Sequence, residues 1–536
     1  MFYYNYKPDE HDYNECISKG VCSISPTISA LQSVIFMMLC ELAYYITKLE
    51  MLGAKNEKIK QGIVSDIICL NSLHEYTENQ ILQIINKLFS NLSNTKDTYM
   101  SLCDTKSIKV AKYQSPVILE NNMEFNKLIN MGEKAFEYKY KNFDNSIKEY
   151  AEILFTILKP LAILIIEMQD FQVLTDRPLN AVIKALNIYN RRNINEIKIR
   201  EVIRKLSDLN AELMLELNKI KTEKFGAIKP VEVSNSTRSG KAVMVSGSNL
   251  TELEEVLKNV KNTAIDVYTN GNLLIAHAYS KFQTYENLRG HFGNGIETSP
   301  LDFATFPGAI LLTKNETHNI EYLYRGRIFT TEEIPPKGVA QPACCNLVSL
   351  IESAENAKGF TKGQIRDSVN VGFDIAKVLE KFDDIAQKLE NETYKYLFII
   401  GLSNHTNIQD KYFKSFFKNK SEDSFVISFS YAVNDKKVFT INVANDYSLV
   451  TGLLFKLFER IPIDSEKIVF FLTKCDAESF AGMVRLNKRG AKNIFMSGCL
   501  PSVMNPTAVK AFKNFYNINT ITTVQNDLEK IINKTA

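Results

Sequence analysis

The opening stretch MFYYNYKPDEHDYNECISKGVC ends on two thiols, Cys16 and Cys22, in a Cys-x5-Cys spacing. Thiolates hold iron–sulfur clusters, ordinarily four to a cluster, so this pair supplies half of such a site. Tyr3 and Tyr6 precede it in a Tyr-x2-Tyr spacing. Two readings of the thiols stand. Two subunits each donate the pair and complete one four-cysteine cluster across a dimer axis, or the two are relic cysteines packed beneath the following helix, as free cysteine commonly is. His11 offers an imidazole beside them, but the spacing matches no familiar zinc module and a fourth ligand is not apparent. Adjacent Cys344 and Cys345 fit no ligand pattern, and Cys475 has no evident His or Asp partner that would activate it as a nucleophile. Gly240-Lys241 lacks the upstream glycine and the following Ser or Thr of a phosphate loop. Gly290-His291-Phe292-Gly293-Asn294-Gly295 has the wrong order for a dinucleotide fingerprint and reads as a tight turn. No catalytic residue emerges from these groups.

The elements that must position such groups follow from size and rhythm. With 536 residues the chain exceeds what one hydrophobic core serves, so two to four domains are expected. A hydrophobic share of 45% against 23% charged residues places it among ordered globular proteins. A net charge of +3 gives no electrostatic reason to expect nucleic acid or a membrane surface as partner. The nine cysteines are scattered, several within apolar runs, which excludes a disulfide framework and implies a reducing, cytoplasmic setting. No signal peptide is visible at the start. The apolar run from Ile153 to Ile166 is broken by Lys159 and Pro160 and reads as a kinked core helix, not a membrane span.

Helical spacing of apolar residues runs over Thr27–Leu52, Glu78–Leu92, Phe125–Phe136, Ser146–Glu167 and Asn195–Leu217, which together predict an N-terminal bundle. The turn-rich stretch near residues 222–241 marks a boundary. Beyond it, short apolar runs alternate with helical patterns. Ala242–Ser246, Ile265–Thr269 and Ala309–Thr313 form one group. Tyr396–Ile400, Phe425–Phe429, Val438–Val443, Ile468–Leu472, Asn493–Met496 and Asn519–Thr523 form another. This predicts a multidomain α + α/β protein: a helical domain over 1–222, then two Rossmann-like α/β domains with mainly parallel sheets over 223–365 and 366–536. Residues 360–392 read as mostly helical. Ligands of open parallel sheets sit at the carboxyl ends of strands, where this chain carries polar, chemically mild loops.

The residues DVYTNGNLLIAHAYSKFQTYENLRGHFGNGI, then FPGAILLTKN and YLYRGRIFTT, with ECISKGVC at the start, resemble the hybrid cluster proteins, also called prismane proteins or hydroxylamine reductases. The resemblance runs in matching order over essentially the whole chain. It implies a fold similar to the carbon monoxide dehydrogenases, with an N-terminal helical domain and two α/β domains, in agreement with the partition above.

The ligands of that family do not carry over. The resemblance puts Tyr3 and Tyr6 at the first two cysteines of the N-terminal cluster, and Cys16 and Cys22 at the last two. At the positions of the hybrid iron–sulfur–oxygen cluster it puts Ser248 for the histidine, and Asn272 and Asp476 for the two glutamates. Glu316, Ser403, Tyr431 and Ala444 fall at the four cysteines. No thiolate or imidazole remains there, and hard oxygens do not replace soft sulfur. His277 lies in a segment matching the family but is expected to be a hydrogen-bonded packing residue. Glu316, Asp476 and His318 could share a divalent metal, or the polar set could bond to itself and to water. The function expected is therefore that of a pseudoenzyme without the hybrid cluster. It would serve as a scaffold, subunit or regulator, with an unknown protein or a second copy of itself as partner. The alternative is an oxidoreductase acting on hydroxylamine, nitric oxide or peroxide.

Overall fold

The structure is a computed structural model that describes residues 26–70, 76–115, 123–138, 143–191, 194–293, 299–314, 326–336, 338–342, 347–474, 476–496 and 512–535. Two compact units divide the chain, residues 1–213 with 475–488 and 499–518, and residues 214–474 with 489–498 and 519–536.

The first unit is helical throughout its named elements. Helix Pro26–Met51 is buried around most of its circumference: Leu31, Val34, Leu39 and Ile46 on one side and Phe36, Met37 and Cys40 on the other are essentially unexposed. It packs between helices Glu78–Thr105 and Phe125–Tyr138. Its length and apolarity would suffice to cross a membrane, yet 78% of the apolar window is buried within the protein, as befits a core helix. Proline is tolerated in its first turn, and Gly53 ends it at φ +87°. Close packing against helix Phe125–Tyr138 depends on Gly132, where a Cβ would collide with the Ala30 carbonyl. Helix Glu78–Thr105 opens on a capping box. The Gln80 amide donates to Thr77 Oγ1 at 3.3 Å, and the Thr77 amide donates to Gln80 Oε1 at 3.0 Å. It extends well past the expected end at Leu92, because Thr95, Tyr99 and Cys103 continue the same buried face. Helix Asn145–Asp170 runs through Pro160 and packs against Ala477–Lys488.

The second unit carries the sheets. Its strands are β1 (Val231–Ser234), β2 (Ala242–Ser246), β3 (Asp266–Asn270), β4 (Leu288–His291), β5 (Ala309–Leu312), β6 (Ile328–Thr330) and β7 (Ser368–Val371). They are followed by β8 (Tyr396–Ser403), β9 (Ser424–Ser428), β10 (Val438–Thr440), β11 (Ile468–Thr473), β12 (Asn493–Met496) and β13 (Ile518–Thr520). One sheet has the order β4-β3-β2-β5-β6, with every pair parallel. The other has the order β10-β9-β8-β11-β12-β13 and is parallel from β10 through β12. All residues of β2, β3 and β9 are buried, the continuous burial of parallel strands covered on both faces. A helical N-terminal region followed by two parallel α/β sheets is the fold class the sequence predicts.

Residues 360–392 depart from expectation. Only Ile375–Glu390 is helical, capped by Asp374 Oδ1, which accepts from Ala376 N at 3.0 Å. Before it, β7 pairs antiparallel with β1. Ser-Val-Asn-Val and Val-Glu-Val-Ser both alternate with period two, but over too few residues to stand out. The GHFGNG segment is also only partly a turn, since Gly290 and His291 close β4 and Gly293 then takes φ +92°.

Candidate functional site

In the second unit the parallel strands bring their carboxyl-end loops into one region of each sheet, and the backbone there is unusual. β2 ends on Ser246, whose hydroxyl donates to Asn270 Oδ1 at 2.7 Å. Gly247 follows at φ +134°. Ser248 is exposed, with its amide 3.3 Å from Thr313 Oγ1. Asn249 caps helix Leu250–Val260 by accepting from Thr251 N and Glu252 N at 3.0 and 3.1 Å. β3 ends on Asn270, and Gly271 turns at φ +67° into a 3-10 segment that carries half-buried Asn272. The Leu273 amide donates back to the Gly247 carbonyl at 2.9 Å, so the two loop tips are stitched together.

Asn272 Oδ1 accepts from Asn445 Nδ2 at 3.3 Å. Asn445 and its neighbour Ala444 are both left-handed, at φ 64° and 47°, a conformation costly for residues with a Cβ and rarely held by two in succession. The next residue anchors this turn. Asp446 caps helix Tyr447–Phe458 through Ser448 N at 2.8 Å and Leu449 N at 3.2 Å, and Lys221 Nζ lies 3.1 Å from its other oxygen. The Lys221 and Asp446 side chains are only 6% and 10% exposed. Burial alone would raise the Asp446 pKa, but the Lys221 charge and these hydrogen bonds outweigh it and hold the carboxyl below its ordinary value.

Ser403 closes β8 and is buried. Its hydroxyl donates to Gln409 Oε1 at 2.8 Å and accepts from the His405 amide at 3.0 Å. The Tyr431 hydroxyl is 2.9 Å away and, since the serine proton is already committed, donates to the second lone pair. The serine oxygen is therefore saturated. Gln409 is fixed in turn by donating to the Thr473 carbonyl at 2.8 Å. Burial pushes the Tyr431 phenol above its ordinary pKa, so it stays protonated. His405 is a further left-handed residue, at φ 50°.

Behind β3, one hydroxyl serves two histidines. Thr269 Oγ1 lies 3.0 Å from His277 Nε2 and 2.9 Å from His291 Nδ1. Burial, with the neighbouring His291, lowers the His277 pKa to about 3, and burial lowers that of His291 to about 4. Both are thus neutral packing residues, as the sequence implies for His277.

Of the residues singled out from sequence, Asn272 and Ala444 are linked through Asn445, and Ser403 and Tyr431 touch. Asp476 belongs to the first unit, where its Oδ1 accepts from Ser479 N at 2.9 Å at the start of helix Ala477–Lys488. Cys16, Cys22, Tyr3, Tyr6, His11, Glu316, His318, Cys344, Cys345 and Cys475 lie outside the described residues. Among the described residues no group of three His, Cys, Asp or Glu is placed to hold a metal ion. Cys40, Cys69 and Cys103 are buried. Lys221, Gln409 and Asn445 were not legible as site residues, because Lys221 meets Asp446 across 225 residues of sequence with no local signal.

A model of the Prismane/CO dehydrogenase family matches residues 12–449. The chain belongs to that family. It is 24% identical over 542 residues to a hydroxylamine reductase of Thermodesulfovibrio yellowstonii, covering 98% of this chain and 99% of that protein. The hydroxylamine reductase of Thermosipho melanesiensis is 24% identical over 545 residues, covering 96% and 97%. That of Maridesulfovibrio salexigens is 23% identical over 540 residues, covering 96% and 97%. In this Prismane/CO dehydrogenase chain, the described residues that the resemblance sets at the cluster positions offer hydroxyl groups (Ser248, Ser403, Tyr431), an amide (Asn272), a methyl (Ala444) and a carboxylate (Asp476). A saturated serine oxygen, a protonated phenol and an alanine do not fit an iron–sulfur cluster, which requires soft, deprotonated ligands.

Proposed function

We propose that this chain is a pseudoenzyme of the Prismane/CO dehydrogenase family, without the hybrid cluster, that works by binding another protein or a second copy of itself. The observation that carries the reading is the bonding of Ser403. At a position the family resemblance assigns to a cysteine ligand, the oxygen has committed its proton to Gln409 and both lone pairs to His405 N and Tyr431. Tyr431 and Ala444 correspond to two further cysteines under the same resemblance, and neither supplies a thiolate. Ser248, Asn272, Glu316 and Asp476 complete that set without sulfur or imidazole. The left-handed turns at Gly247, Gly271, His405, Ala444 and Asn445 support a retained cradle whose donors have been exchanged. The redox chemistry of such enzymes belongs to the cofactor, so loss of its ligands removes the route for electrons. Buried thiols inside the helical unit, Cys69 and Cys103 among them, accord with a reducing, cytoplasmic setting.

A second reading, reduction of hydroxylamine, is favoured by the relatives that carry that name and match along nearly the full chain. Anaerobic assay with hydroxylamine and a strong one-electron donor separates the two. The pseudoenzyme reading expects no turnover above a heat-denatured control. Turnover that disappears in Asp476→Asn would overturn it.

A further inference from the structure

The second sheet has a gap on one face. Parallel neighbours are normally joined through a helix that covers the sheet, as helix Asn407–Asn419 does between β8 and β9. From β9 to β10 the chain crosses in residues 429–437 with no helix. Right-handed crossovers put both connections on the same face, so the missing helix leaves open the space beside Asn407–Asn419. A cavity of about 840 Å³ lies there, within the range of small-molecule sites.

Its charges are unevenly matched. Two of the three carboxylates on the wall are paired with lysines, Asp435 with Lys420 at 3.1 Å and Glu422 with Lys437, while Asp410 Oδ1 lies 3.5 Å from His405 Nδ1. The Lys420 side chain is only 5% exposed, so this part of the wall is built, not draped over the surface. Lys414, Lys418 and Lys436 also line the cavity, and among the described residues their ammonium groups make no ion pair or hydrogen bond. Lys414 and Lys418 sit one helical turn apart, where like charges repel unless an anion lies between them. Phe417 and Tyr431 add an aromatic wall, with ring centroids 6.4 Å apart.

We propose that this cavity binds a small molecule bearing a phosphate chain, with Lys414, Lys418 and Lys436 on the phosphates and Phe417 against any planar base attached to them. Compact ammonium groups suit phosphate as point charges, and three together ask for more than a single monoanion. A nucleoside triphosphate and an inorganic polyphosphate share this chemistry. The inference is independent of the cluster question, because none of its three lysines stands at a position the family resemblance assigns to a cluster ligand.

Titration calorimetry with ATP, sodium tripolyphosphate and adenosine tests it on the full chain. ATP and tripolyphosphate are expected to bind, more weakly as salt rises, and adenosine alone is not. The triple variant Lys414→Gln, Lys418→Gln, Lys436→Gln is expected to lose roughly tenfold or more in affinity. Its melting temperature should match the parent's, since these side chains are exposed. Tighter binding of ATP, weakened by Phe417→Leu, assigns a nucleotide, whereas equal binding assigns the bare phosphate chain, and either supports the site. No binding of either anion, or binding unchanged in the triple variant, overturns it.

Discussion

Ser403 Oγ and the Tyr431 hydroxyl meet at 2.9 Å, joining the end of β8 to the loop that follows β9. The bond is one of three on the serine oxygen, so Tyr431→Phe leaves Ser403 with Gln409 and the His405 amide. The expected loss in urea denaturation is about 1 kcal/mol, the ordinary net worth of one hydrogen bond, with the aromatic packing against Phe413 kept. A loss of several kcal/mol would mean that the phenol holds more than this serine.

The Lys221–Asp446 pair is expected to be far more costly to break from one side. Lys221→Met leaves a buried carboxylate unpaired and should cost about 3–5 kcal/mol. Adding Asp446→Asn removes the stranded charge while preserving an N-cap, so the double variant should be more stable than the single one. Equal stabilities would show that Asp446 is better hydrated than its 10% exposure implies.

Ala444 is held at φ 47°, where glycine is at ease and alanine is strained. Ala444→Gly is expected to leave stability unchanged or raise it by up to about 1 kcal/mol, in spite of the greater freedom glycine gives the unfolded chain. A clear loss, read from the denaturation midpoint, would contradict the strain assigned to this turn.

Acid should weaken the second unit through its two histidines. Their folded pKa values, about 3 for His277 and about 4 for His291, lie below the ordinary value near 6.5. The unfolded chain therefore takes up protons that the folded one refuses as pH falls below about 6.5, and stability declines until about pH 4, where the folded state begins to protonate. Two such groups amount to roughly a few kcal/mol over that window. Melting temperature followed from pH 7 to pH 4 should show the decline, and it should be shallower in His291→Gln. A flat profile would contradict the burial of the pair.

The parallel sheets were legible because β2, β8 and β11 are nearly continuous apolar runs and β9 has an apolar centre, and the long helices because their apolar spacing persists over several turns. β1, β6 and β7 span three or four residues each, too short for any period to register, and β7 turned part of the expected 360–392 helix into an antiparallel ribbon with β1. At the site, sequence pointed to the strand-end loops but could not supply the bonding within them. Gln409 reads as an ordinary first-turn helix residue, and only the fold brings its carbonyl to Ser403 and its amide to Thr473. The same holds for Asn445, whose contact with Asn272 joins loops 173 residues apart.

Iron and acid-labile sulfide, measured on protein purified without oxygen and accompanied by visible and electron paramagnetic resonance spectra, test the central claim most directly. The expected result is a colourless protein with no iron beyond what Cys16→Ser, Cys22→Ser removes, and a melting temperature indifferent to chelators. Stoichiometric iron and sulfide that survive loss of both thiols, with the spectrum of a multi-iron cluster, would contradict it.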